Sequence, residues 1–130
     1  MPRFHPLIPL RIPSGWEVAF NNFVELGDVP DAHDRAAYLT QDLLSVRSTA
    51  PEDTPAAGWE LDVGWYPDGD AGGAYRLVLV DADGEPAVRL ESRHAEIVRD
   101  AVALCLNRLN EGAPADQIQQ LLDGATRDLS

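Results

Sequence analysis

Lysine is absent from this chain, and cysteine occurs once, at position 105. Without lysine a Ser-x-x-Lys nucleophile cannot form, and no nucleophile elbow or glycine-rich phosphate loop is written anywhere else. A lone Cys105 excludes an intramolecular disulfide and points to a reducing, cytoplasmic compartment. Long apolar runs are also lacking: no stretch approaches the ~20 residues that a membrane span needs. The opening MPRFHPLIPLRIP is apolar in flavour, but four prolines break it. It has no continuous apolar core and no A-x-A cleavage site, so it does not read as a signal peptide. Positive charge is scarce. Twenty-two acids face ten bases, all arginine, for a net charge of −12. That balance argues against nucleic acid as a partner, since such binding draws on cationic contacts to phosphate. Two uses of the acids remain: a solubilising surface, or a surface built to meet a basic partner.

What is present fits one domain. A chain of 130 residues with 45% hydrophobic content can bury one core. Residues 1–13 form a proline-rich arm, and residues 14–130 a single α+β domain. From Ser14 the pattern alternates. Trp16, Val18, Phe20 and Asn22 share one face of an extended segment that ends at Gly27-Asp28. Residues 31–47 place Ala36, Leu39, Leu43 and Leu44 at helical spacing, with Asp31 or Asp34 as N-cap. Trp59, Leu61, Val63 and Trp65 then alternate with Glu60, Asp62, Gly64 and Tyr66, as a half-buried strand does. Residues 74–80 read as a central strand, DADG at 81–84 as a hairpin turn, and 86–91 as an edge strand opening at Pro86. Ser92 caps a helix over about 93–110, whose apolar stripe runs from Ala95 to Leu109. Gly112 stops it, and Pro114 opens a short final helix. The expected fold is α+β: a four-stranded, mainly antiparallel sheet with helices packed on one face, in the order β-α-β-β-β-α-α.

The candidate chemistry is thin. Asp81, Asp83 and Glu85 look like part of a calcium loop, but the ligand series stops where the chain becomes a strand. Turn chemistry explains them better. His5, His33 and His94 lie far apart without paired-ligand spacing, so they read as surface residues rather than as a zinc set. Cys105 lies mid-helix on the apolar stripe, where packing rather than reactivity is expected. The expectation is a non-enzymatic protein with no cofactor and no bound metal. The aromatics Trp16, Phe20, Trp59 and Trp65 are assigned to the core. Asn21 and Asn22 are uncomfortable in a strand and mark either a bulge or a buried hydrogen-bonded pair. Glu17, Glu25, Asp28, Glu60 and Asp62 are the acids available for one surface, with Tyr66 and Tyr75 nearby.

The stretches IPSGWEVAFNNFVELGD, DLL, GWELDVGWYPDGDAGGAYRLVLV and NRLNEGAPADQIQQLLD together resemble immunity proteins of contact-dependent or other polymorphic toxin systems. The resemblance spans most of residues 12–123. It implies a cytoplasmic bacterial inhibitor that binds a cognate toxin, often a basic nuclease, and covers its active site with an acidic surface. On that reading Glu17, Glu25, Glu60, Asp62, Asp68 and Asp70 would form the surface, with Tyr66 as aromatic anchor. A monomer or a homodimer fits equally well. Two alternatives come from other classes: a small-ligand or regulatory module whose pocket is lined by the tryptophans, and a hydrolase that uses the acids with a divalent metal.

Overall fold

The computed structural model describes residues 5–26 and 31–127. Eight elements follow one another: β1 (Trp16–Asn21), α1 (Ala32–Tyr38), β2 (Leu44–Ser48), β3 (Glu60–Tyr66), β4 (Ala74–Val80), β5 (Pro86–Ser92), α2 (Ala95–Asn110) and α3 (Ala115–Arg127). The class is α+β, but the sheet has five strands rather than four, in the sequential order β1-β2-β3-β4-β5, each pair antiparallel. The additional strand is β2, inside the segment expected to be helical. α1 stops at Tyr38, and Leu44 and Val46 alternate with Ser45 and Arg47 as a strand requires. Helical spacing of Leu39, Leu43 and Leu44 is real, yet pairing on both flanks overrides it.

Leu43 and Leu44 are both buried because the chain bulges before β2. Thr40 O accepts from Trp65 N at 2.7 Å, and Leu43 N donates to Val63 O at 3.0 Å, leaving Gln41 and Asp42 looped out over Gly64. A Cβ on Gly64 would lie 2.7 Å from the Gln41 carbonyl carbon, and closer still to its oxygen. Glycine is therefore demanded by a backbone crossing rather than by its own dihedrals.

One face of the sheet makes the core. Leu44, Val46, Leu61, Val63, Trp65, Tyr75, Leu77, Leu79, Val88 and Leu90 are all buried there. Each such side chain contributes roughly 1.5–3 kcal/mol through burial. α2 packs on this face against β4 and β5 with Val98, Val102, Cys105, Leu106 and Leu109. α3 adds Ile118 and Leu122 and lies along β5. There Gln119 bonds both backbone groups of Arg89: its Oε1 accepts from the N–H and its Nε2 donates to the carbonyl, each at 2.8 Å. The side chain takes the place of a sixth strand at that point. At the other end of α2, Asn110 ties down the start of β1. It accepts from Trp16 Nε1 at 3.0 Å and donates to the Ser14 carbonyl at 3.1 Å.

Several expectations need correction. Phe20 is not core: it is 48% exposed, and Val18 beside it is 41% exposed. A register shift between Val18 and Phe20 turns Phe20 to the far face of the sheet, opposite Ser45. β1 ends at Asn21, and the expected terminus at Gly27-Asp28 lies outside the described residues. The bulge is not at the asparagines, which make hydrogen bonds instead: Asn21 Oδ1 accepts from Phe23 N, and Asn22 Nδ2 donates to the Ala37 carbonyl. Trp59 is only partly buried at the margin of the core. His5 is no surface residue either. Its Nε2 lies 2.9 Å from Oδ1 of the buried Asp34, and its ring stands edge-on to Tyr38. That pair fastens the proline-rich arm to α1, while Ile8 enters the core and Leu7 bridges Val24. Asp31, not Asp34, caps α1, and His94, not Ser92, is the N-cap of α2.

Candidate functional site

The core consumes one side of every strand, so the residues free to act lie on the opposite face, which neither α2 nor α3 covers. Register fixes the rows across it. One row runs Glu17, Arg47, Glu60, Val80. The next runs Phe20, Ser45, Asp62, Val78, Arg89. A third places Arg76 between Gly64 and Glu91. Of the expected partner-binding residues, Glu17, Glu60, Asp62 and Tyr66 share this face. Glu25 does not; it borders a separate cavity beside the N-terminus of α2. Asp68 and Asp70 belong to the 67–73 turn, where Asp70 Oδ1 accepts from Gly72 N and its carbonyl accepts from Trp65 Nε1. Asp28 lies outside the described residues.

The face is divided by charge. Its β4–β5 half is basic and internally paired. Arg76 lies 4.7 Å over the Tyr66 ring and 3.5 Å from Glu91. Tyr66 therefore has one ring face occupied and is a poor free anchor. The β1–β3 half is acidic. Phe20, Asp42, Ser45, Glu60 and Asp62 line a hollow of about 450 Å³. Ser45 Oγ donates to Glu60 Oε1 at 3.1 Å. Burial pushes the Asp62 carboxyl above its ordinary range, and the charges of Glu60 and Asp42 push it further, against the pull of Ser45 and Arg47. Ionising Asp62 thus costs free energy that a cation entering the hollow would recover.

Two contributors were missed from sequence. Asp42 falls in the segment whose spacing predicts a helix, and Phe20 among the aromatics expected in the core. The looped-out Gln41-Asp42 and the β1 bulge bring both to the hollow, and neither irregularity has a clear residue signature. Among the described residues no three His, Cys, Asp or Glu side chains come together as metal ligands would. Also among them, no helix is long and apolar enough to cross a membrane. Cys105 is buried, and burial pushes its thiol up to about 12, which removes it as a nucleophile near neutral pH. No protein-family model, no curated protein and no solved structure matches the chain.

Proposed function

We propose that the protein is a non-enzymatic acidic binding module that neutralises a basic protein partner by direct contact, as an immunity protein neutralises its toxin. The observation that carries this reading is the acidic hollow on the open face of the sheet. Asp42, Glu60 and Asp62 surround it, and Phe20 stands 48% exposed at its edge. An exposed phenyl ring beside clustered carboxylates suits an arginine or lysine, whose stem lies on the ring while its head meets the acids. A net charge of −12 adds long-range steering toward a basic surface, which raises association rates most at low salt.

The test uses the tagged full chain as bait in lysate of its own organism, at low and moderate salt, beside Glu60→Arg/Asp62→Arg and Phe20→Ala baits. The expected result is one basic protein held stoichiometrically by the natural chain and lost from both variants. Its activity should fall when the natural chain is added back. Equal retention by the charge-reversed bait, or an empty natural bait at both salts, would overturn the proposal.

A further inference from the structure

A second cavity, of about 740 Å³, opens on the other side of the molecule, between the arm, α1 and the N-terminus of α2. Its volume is in the range of small-molecule sites. Of the three tryptophans only Trp65 lines it. Leu26 and Leu39 join Trp65 as an apolar wall, while Arg93 and Arg99 stand at the α2 end.

Tyr75 distinguishes this cavity from an ordinary surface crevice. Its side chain is only 6% exposed, with the ring held edge-on between Phe23 at 5.3 Å and Trp65 at 4.8 Å. Among the described residues its hydroxyl has no hydrogen-bond partner, yet no fully sealed side-chain polar atom is left unpaired. The hydroxyl must therefore reach the cavity that Tyr75 lines. Among the described residues that leaves the bonding capacity of a mostly buried phenol open to whatever occupies the cavity.

The same cavity receives the start of α2. That helix has 16 residues, and its N-cap His94 makes no side-chain capping bond. Ile97 N and Val98 N turn back to the His94 carbonyl, whereas among the described residues the amides of Ala95 and Glu96 have no acceptor. Free first-turn amides favour an anion. Arg93 is fixed at the rim by donating to the Ala71 carbonyl at 2.9 Å.

We infer that this cavity binds a small organic monoanion, a carboxylate on an aromatic or branched aliphatic body. The carboxylate sits between the Ala95 and Glu96 amides, the arginines and the Tyr75 hydroxyl. The body lies against Leu26, Leu39 and Trp65. Glu25 and Glu96 also border the cavity. With Arg35 the lining carries three arginines against these two carboxylates, a surplus of one positive charge that suits a monoanion better than phosphate or a polyanion. The inference stands apart from the acidic hollow and does not depend on it.

Benzoate, octanoate and inorganic phosphate serve as probes in amide and indole NMR titrations of the full chain. Benzoate or octanoate is expected to shift Ala95, Glu96 and the Trp65 indole in a saturable way, with phosphate at least tenfold weaker. Tyr75→Phe, whose fold is checked by its melting curve, should weaken the organic acid by about tenfold, the scale of one hydrogen bond to a charged group. Arg99→Gln, at a more exposed position, should weaken it as well. No saturable shift at several millimolar, equal binding by phosphate, or unchanged affinity in both variants would overturn the inference.

Discussion

Replacing Gly64 with alanine tests how the acidic hollow is held together. The new Cβ would meet the Gln41 backbone at 2.7 Å from its carbonyl carbon. Backbone cannot rotate away as a side-chain tip would, so the looped-out segment must lift. Lifting it endangers the bond from Trp65 N to Thr40 O and that from Leu43 N to Val63 O. At about 1 kcal/mol net for each bond, with about 1–3 kcal/mol for overpacking, the expected loss is about 3–5 kcal/mol. For a domain of 130 residues that lowers the melting temperature by about 10–20 °C. Gly124→Ala is the control. Nothing lies within 4 Å of its added Cβ, and its place inside α3 should yield a gain of about 0.5–1 kcal/mol. Circular dichroism melts of the three proteins decide the matter. A Gly64→Ala melt within about 1 kcal/mol of the natural protein would mean that the 40–43 segment does not press on β3. Asp42 would then not be held beside Asp62.

Asp62→Asn should stabilise the fold at neutral pH, by up to about 1 kcal/mol for a half-exposed charge. Because the folded carboxyl is raised above its ordinary value of 3.8, the cost of ionising it appears as pH rises through the folded value and vanishes below the unfolded one. The advantage of the variant should therefore shrink on acidification, and a pH-independent difference between melts would refute the account. Cys105, with its thiol pushed up to about 12, should hardly react with a disulfide reagent at pH 8, where roughly one part in 10,000 is thiolate. Rapid labelling of the native protein, before any urea is added, would contradict its burial. Gln119→Ala should cost about 1–2 kcal/mol for two lost bonds and bare the edge of β5. Sedimentation should then show stronger concentration-dependent self-association than the natural chain does.

The legible parts of the fold are those where local pattern and tertiary demand agree. β3 and β5 alternate, β4 is apolar on nearly both faces as a central strand is, the turn at Asp81–Gly84 is explicit, and α2 carries one unbroken stripe ended by Gly112, whose φ is +81°. β2 was hidden because Leu39, Leu43 and Leu44 also satisfy helical spacing, and only pairing with β1 and β3 decides between the two periods. The site was half legible. Glu60 and Asp62 follow from parity alone, since they alternate with Leu61 and Val63. Phe20 does not, because parity counted from Trp16 fails at the register shift after Val18. The His5–Asp34 pair spans 29 positions, and no local pattern records it.

Strands that neighbour one another in sequence also neighbour one another in space throughout this sheet. Hairpin can therefore add to hairpin with only short loops to close, which favours rapid collapse of β2 to β5. The clasp between Asn110 and the start of β1 is different. Its bonds join residues 94 and 96 positions apart. Among the described hydrogen bonds these close the largest loop, and the clasp is expected to form after the transition state for folding. Variants at Asn110 should accordingly speed unfolding while leaving the folding rate nearly untouched. Edge strand β1, with Phe20 and its share of the acidic hollow, would then be the last part of the sheet to settle and the first to let go.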